Sequence, residues 1–273
     1  VIELKKDIKN TTSDDDMFTV QKDSSIDLSI IVPVFNNVNF TMLALEGLGK
    51  LPSNYEVLIV DNNSEDDTEE VVEEFITKAP KDRASISYIG CPRNMGFSAA
   101  NNKGFKYSRG RNILFLNNDI RIEDDFETWP EEMVRLAEEG YIIGADGGLL
   151  DGQFNYVTTG TNLPRTNRWY LSGWCLCGSR ETFDKLKLNH YSNSEGQIVE
   201  GTQSWGPWNE KFFLYFEDGD LTWRARDLGI ELKEIRVPIH HFGRITGRKY
   251  GMFGYYKKSQ RIFKIEWKER YRS

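Results

Sequence analysis

Four short segments, each almost wholly apolar and each followed by amides, acids or glycine, constrain this chain most. Leu28 to Val34 reads Leu-Ser-Ile-Ile-Val-Pro-Val, and Tyr55 to Val60 closes on Asp61. Ile86 to Ile89 and Asn112 to Leu116 repeat the pattern. Such runs lack the apolar–polar alternation of a half-solvated strand, so they predict strands of a parallel sheet covered on both faces. Helical stretches are expected between them, at Asn39–Leu51, after Ser64, and at Ser98–Ser108. Ser64, with Asp67 three residues on, is the expected N-cap of the helix carrying Val71, Val72, Phe75 and Ile76. Alternating strand and helix imply an α/β fold with right-handed crossovers.

The second half is less regular. A helix and its approach are expected over residues 122–138, and a strand from Ile142 to Leu150. Gly152 to Tyr170 reads as a loop or hairpin, Leu171 to Gly178 as a strand, and residues 189–209 as a flexible loop. A turn into a helix spans Tyr215–Leu228, a strand Glu231–Pro238, and the basic tail is expected to be helical. Residues 1–26, with the run Asp14-Asp15-Asp16, lack periodicity and read as a polar linker or arm. The chain starts at Val1 and not Met, which fits a piece of a longer protein with other domains.

Composition narrows the classes further. No apolar run reaches the roughly 18 residues of a membrane helix. Three cysteines (Cys91, Cys175, Cys177) are too few for a disulfide scaffold, which fits a reducing, cytoplasmic setting. The formal net charge of −7 argues against general nucleic-acid binding. From Lys233 to the end, however, twelve Lys and Arg stand against three acids. That tail is a candidate contact for a phosphate group, an anionic polymer or the inner membrane face, or else a solvated basic helix.

In open α/β sheets, ligands bind at the carboxyl ends of the strands. Asp61 and Asp119 both sit there, where a carboxylate can hold a ribose hydroxyl, a base edge or a metal; each is also a common turn former. Glu217-Asp218-Gly219-Asp220 places three carboxylates at the start of an expected helix, which is costly without a cation, a proton or the helix N-terminus to offset them. Asp218 is the candidate general base. His240 and His241 follow a strand end and are candidate metal ligands.

Several segments together resemble the family 2 glycosyltransferases of GT-A fold, in the subgroup of bacterial rhamnosyltransferase-like enzymes. They are Ser29 to Asn36, Val60-Asp61-Asn62-Asn63-Ser64, Asn94-Met95-Gly96-Phe97 with Asn101 to Gly104, Phe115 to Asp119, Phe213 to Leu221, His241 with Thr246, and the terminal Lys258-Ser259-Gln260 with Phe263 and Lys268. The resemblance covers about residues 27–270. It implies a Rossmann-like, mostly parallel central sheet flanked by helices, with a smaller acceptor-side subdomain. Within 27–273 it implies a nucleotide-binding half (about 27–120), an acceptor and catalytic half (121–242) and a basic tail (243–273).

The resemblance also implies roles. Pro33, Phe35 and Asn36 would lie against the nucleoside, and Asp61 would bind the base or ribose. Asn94, Gly96 and Asn102 would shape the floor beneath the nucleotide. Asn117-Asn118-Asp119 stands at the Asp-X-Asp position with its first acid replaced, so Asp119 is its one charged metal ligand. Asn118 would face the donor. His241 would be a second ligand, with His240 the alternative, and the ion would be Mn²⁺ or Mg²⁺. Asp218 would be the catalytic base, with Glu217 holding the acceptor or the base. Arg244 and Arg248 could close over the phosphates, and Trp169, Arg168, Trp174 and Trp208 could line the acceptor side. The implied activity is inverting transfer from a nucleotide sugar, UDP- or dTDP-linked, to a saccharide, lipid-linked glycan or glycoprotein, as in polysaccharide biosynthesis. Two alternatives stand beside it. One is a catalytically degenerate GT-A domain that binds a glycan or a partner protein. The other is a nucleotidyltransferase, which would want Gly and Lys where this chain has Phe35-Asn36-Asn37-Val38-Asn39.

Overall fold

The computed structural model describes residues 22–123, 128–193, 195–243 and 253–270. The first half alternates as expected: β1 (Leu28–Val34), α1 (Val38–Leu48), β2 (Tyr55–Asp61), α2 (Thr68–Lys78), β3 (Ser85–Gly90), α3 (Phe97–Tyr107) and β4 (Asn112–Leu116). Then come β5 (Ile120–Ile122), α4 (Glu131–Glu138), β6 (Ile142–Gly144), β7 (Gly147–Leu150), β8 (Tyr156–Gly160), β9 (Trp169–Leu171) and β10 (Cys175–Ser179). The described elements end with α5 (Arg180–Asp184), β11 (His190–Ser192), β12 (Ile198–Glu200), α6 (Glu217–Asp227), β13 (Leu232–Glu234), β14 (Ile239–His241) and α7 (Phe253–Trp267).

The central sheet has seven strands in the order β13-β6-β10-β4-β1-β2-β3. β1 runs parallel to β2 and β4, and β2 to β3, while β10 alone is antiparallel to its neighbours β4 and β6. The sequence explains why both faces are covered. Leu28, Ile30, Val32 and Val34 of β1 meet α1 and α4 on one side. Ile31 joins Ala100 and Phe105 of α3, Phe183 of α5 and Leu221 of α6 on the other. Fully burying each such side chain stabilises the fold by about 1.5–3 kcal/mol. Gly104 lets α3 approach closely, since a Cβ there would stand 2.3 Å from Ile31. Cys175 and Cys177 are buried and unpaired on one face of β10, as small apolar side chains.

A smaller unit packs beside this sheet. Strands β8-β7-β9 form a separate antiparallel sheet. Leu150, Phe154, Tyr170, Phe212, Phe216 and Trp223 pack with Phe263 and Trp267 of α7 into a third, aromatic core. The basic tail is thus helical over Phe253–Trp267, with an apolar face docked here.

Several boundaries differ from expectation. The Ile142–Leu150 strand breaks at Ala145-Asp146, and its halves join different sheets. The Leu171–Gly178 strand breaks likewise at Ser172-Gly173-Trp174. Apolar content is continuous through both bends, so hydrophobicity alone did not mark them. Residues 189–209 are not simply a loop: His190–Ser192 pairs with Ile198–Glu200. The strand expected at Glu231–Pro238 is shorter, Leu232–Glu234. Ser64 does not cap α2. Asp67 holds the N-cap position, and the Ser64 hydroxyl is turned instead toward Asp61.

Candidate functional site

The carboxyl ends of β1, β2 and β4 open on one side of the sheet, and the polar turns after them interlock. Asp61 ends β2, is 3% exposed, and has both carboxylate oxygens engaged. Its Oδ1 accepts the Ser64 N–H (2.8 Å) and hydroxyl (2.7 Å), and its Oδ2 accepts the Tyr88 hydroxyl at 2.5 Å. Burial and the Asp61 carboxylate push the Tyr88 hydroxyl well above its ordinary value, so Tyr88 stays a donor. The Asn36 N–H donates to Ser64 Oγ at 2.7 Å, and Asn36 Oδ1 accepts the Glu65 N–H at 2.7 Å. Asn36 and Asn37 hold left-handed backbone (φ 54° and 63°), which asparagine tolerates better than most residues. Pro33 and Phe35 are half-buried at this edge.

The neighbouring turn is built the same way. Asn62 Nδ2 donates to Asn94 Oδ1 (3.0 Å) and to the Gly96 carbonyl (3.2 Å). Asn62 Oδ1 accepts the Met95 N–H at 2.7 Å, and Asn94 Oδ1 accepts the Gly96 N–H at 3.0 Å. Asn102 lies deeper, fully buried. Its amide donates to the Trp208 carbonyl and Glu210 Oε1, and its oxygen accepts the Trp208 N–H. The residues expected to form the floor fall into two hydrogen-bonded sets, Asn94 and Gly96 with Asn62, and Asn102 with Glu210, beside the Asp61 set with Ser64 and Tyr88. Sequence reasoning missed Tyr88 and Glu210, which carry no spacing signal.

Beyond β4, the chain bends so that Asp119 faces β14. β14 pairs antiparallel with β5, with His241 opposite Ile120. His241 Nε2 lies 3.2 Å from Asp119 Oδ1, and the Asp119 carbonyl accepts the Phe242 N–H at 2.9 Å. Strand alternation turns His240 the other way, exposed and edge-on to Phe242, so His241 is the histidine beside Asp119. The Trp174 ring stacks on the His241 ring with centroids 4.5 Å apart and planes at 13°. Its indole N–H donates to Asp146 Oδ1 at 2.8 Å. Among the described residues no group of three His, Cys, Asp or Glu side chains gathers. A carboxylate oxygen and an imidazole nitrogen converging on one point nonetheless suit a divalent cation that takes its other ligands from a bound substrate.

The third part is the start of α6. Tyr215 and Phe216 both have left-handed backbone (φ 72° and 70°), which is costly for bulky residues and turns the chain sharply into the helix. Glu217 and Asp218 then occupy its first turn, where the helix dipole favours carboxylates. Asp218 is half-buried. Its Oδ1 accepts the Gly219 N–H (2.8 Å) and its Oδ2 the Gly173 N–H (3.2 Å). Gly173 lets this loop lie close to Asp218, because a Cβ there would stand 3.1 Å from the Asp218 Cβ and press on it. Burial pushes the Asp218 carboxyl up from 3.8 to about 6, against the lowering by those two amides. Glu217 is 7% exposed, and its Oε2 has no hydrogen-bond partner. Burial, then the neighbouring Asp218 charge, raises its carboxyl well above the ordinary range.

Other expectations need correction. Trp208 is fully buried between Phe97 and Phe115, and Trp169 is 2% exposed, so both are core residues that cannot line an acceptor groove. Arg168, by contrast, is half-buried with its guanidinium 6.0 Å above the Phe154 ring, which leaves its acceptor-side expectation untouched. Trp174 gives one indole face to His241, so that face is closed to a sugar. The Asn118 amide donates to Thr41 Oγ1 at 3.0 Å, which ties it to α1. Arg244, Arg248 and Thr246 lie outside the described residues, as does most of the 1–26 arm.

The Glycosyl transferase family 2 model matches residues 29–192. The dolichyl-phosphate beta-glucosyltransferase ALG5A of Trichomonas vaginalis is 26% identical over 90% of this chain and 75% of its own length. The glycosyltransferase AglE of Haloferax volcanii is 31% identical over 50% of this chain and 43% of its own. An uncharacterized glycosyltransferase of Rickettsia bellii is 34% identical over 42% of this chain, and the match spans 16% of that protein. Among solved structures, the mannosyltransferase PcManGT of Pyrobaculum calidifontis, in complex with GDP-Man and Mn²⁺, superposes with a TM-score of 0.55 over 79% of this chain and 58% of its own, at 14% identity. The mixed sheet, its strand-end turns and these matches agree: the chain belongs to glycosyl transferase family 2 and has the GT-A fold.

Proposed function

We propose that this chain is a metal-dependent, inverting glycosyltransferase. It moves one sugar from a nucleotide donor, UDP- or dTDP-linked, to a hydroxyl of a saccharide, lipid-linked glycan or glycoprotein. The observation that carries this reading is the contrast within the Glu217-Asp218 pair. Asp218 is held by two backbone amides and reaches the half-buried surface, while Glu217 is buried beside it with an unpartnered oxygen. With its carboxyl at about 6, Asp218 is ionised at neutral pH yet more basic than an ordinary aspartate, as a general base should be. Burial and the Asp218 charge raise the Glu217 carboxyl well above its ordinary value, and its unpartnered oxygen is the group offered to acceptor or base.

The step then balances simply. Asp218 takes the acceptor hydroxyl proton as the oxygen attacks the anomeric carbon. The bond from that carbon to the diphosphate oxygen breaks on the opposite face, and the anomeric centre inverts. Asp119 and His241 would hold Mn²⁺ or Mg²⁺, which when bound neutralises the charge growing on the diphosphate. The Mn²⁺ and GDP-Man named with PcManGT support this assignment by likeness of fold. Asn36, Asp61 and Asn94 hold the turns that face the nucleotide, with Pro33 and Phe35 at the edge. The half over 27–120 carries the nucleotide, 121–242 the acceptor and base, and 243–273 the tail, whose Arg244 and Arg248 are the candidate phosphate contacts. No described helix is long and apolar enough to cross a membrane. The basic face of α7 suits peripheral contact with anionic lipid.

Calorimetric titration with UDP, dTDP, GDP and CMP, each with and without Mn²⁺, tests the reading. Metal-strengthened binding of one nucleotide is expected. A folded protein that binds none of them is instead the degenerate, glycan-binding domain.

A further inference from the structure

We propose that Asp146 and Trp174 form a positioning brace for His241, and through it for the Asp119–His241 pair. The inference rests on the metal-dependent reading above and adds to it two residues outside the ligand pair. Four contacts carry it. The Asn117 N–H donates to the Trp174 carbonyl at 2.8 Å, fixing the backbone of Trp174 to the end of β4, two residues before Asp119. The indole N–H donates to Asp146 Oδ1 at 2.8 Å, fixing the ring plane. The flat face of that ring carries the His241 imidazole at 4.5 Å and 13°. The imidazole presents Nε2 to Asp119 Oδ1 at 3.2 Å. Asp146 is itself anchored, since its carbonyl accepts the Ser172 N–H at 3.1 Å.

The physical consequence is entropic and directional. An imidazole lying flat on a fixed indole cannot swing its nitrogen lone pair out of line without losing the stack. A ligand held before the ion arrives loses less freedom on binding, and groups that orient ligands typically change metal affinity by tenfold or more. Both breaks in the expected strands, Ala145-Asp146 and Ser172-Gly173-Trp174, fall at this brace. The chain leaves its sheet at both places and brings the two side chains together.

The test uses Mn²⁺ alone, titrated into the full chain and followed by the EPR signal of the free ion, with the metal-free melting temperature measured in parallel. Trp174→Ala removes stack and tether together and should weaken Mn²⁺ about tenfold. Trp174→Phe keeps a ring but loses the N–H, and Asp146→Ala loses the acceptor. Each should cost about threefold. The double variant should be no weaker than either single, because both remove one link. Asp146→Asn, whose amide oxygen accepts the same N–H, should stay near wild type. Unchanged Mn²⁺ affinity in Trp174→Ala overturns the brace. So does a double variant whose losses multiply, or an Asp146→Asn as weak as Asp146→Ala, which would make charge the cause. If Trp174→Ala melts early, Trp174→Phe and Asp146→Asn decide the matter at native stability. Because the cation is expected to take further ligands from the donor, a wild-type chain silent to Mn²⁺ alone is titrated again with saturating UDP, and one that takes no Mn²⁺ in either case overturns the metal reading itself, and this inference with it.

Discussion

Asp61 and Asp218 are both carboxylates at element ends with both oxygens hydrogen-bonded, yet their surroundings differ. Asp61 closes a strand in the regular half, and hydroxyl and amide donors engage both its oxygens. Asp218 opens a helix in the irregular half, beside a buried Glu217 with an unpartnered oxygen, after two bulky residues with left-handed backbone. The first arrangement stabilises a turn. The second sets two acids side by side in a buried turn, and that burial raises the Asp218 carboxyl, which suits the proton acceptor proposed above. Asp61 is held among donors alone, whereas Asp218 sits against a second buried carboxylate, the kind of setting in which perturbed acids gather at functional sites.

The largest test of that contrast is Asp218→Asn. It should lower turnover by about 10²- to 10⁴-fold while nucleotide affinity, measured by calorimetry, stays within a few-fold of wild type. Wild-type turnover in the variant would remove the distinction between the two aspartates. Asp119→Ala should abolish the Mn²⁺-dependent part of nucleotide binding, read in the same titrations. The wild-type rate should fall as pH drops through about 6, the value to which burial pushes the Asp218 carboxyl. An acid limb near 4 would mean that Asp218 behaves like an ordinary aspartate.

Stability gives a subtler check with a definite sign. Between its ordinary 3.8 and about 6, the folded state holds the Asp218 proton more firmly than the unfolded state. Stability therefore falls as pH rises through that window, and the cost is complete above it. Asp218→Asn should then melt about 2–4 °C above wild type at pH 8, and this gain should shrink below pH 4. Tyr88→Phe should give the smallest effect. It removes one of the donors to Asp61, costs about 1 kcal/mol in a thermal melt, and leaves turnover largely intact.

The four parallel strands and their helices were legible because buried parallel strands are written as unbroken apolar runs. The positions of Asp61, Asp119, Asp218 and His241 at or beside element ends were legible because the apolar runs mark where those elements stop. What escaped had no periodic signature. Asp146 and Trp174 sit in bends inside apolar stretches that read as single strands, although a glycine-flanked acid in such a run, Ala145-Asp146-Gly147, was a usable sign. Trp208 and Trp169 were misjudged for the opposite reason. An aromatic residue in a polar stretch reads as a surface stacking platform, and only the tertiary fold reveals that it fills the core.

The pairing of β14 with β5 has a consequence for assembly. Asp119 and His241 are 122 residues apart in sequence, while β1 to β4 close their sheet over much shorter spans. Contacts between distant segments carry a larger loop-closure cost and form late. Strands β1 to β4 can therefore pair on a growing chain before Asp119 and His241 meet. His241 must leave the ribosome before that contact can form, so a nascent chain that stops short of it can hold a folded sheet and still lack the proposed metal pair.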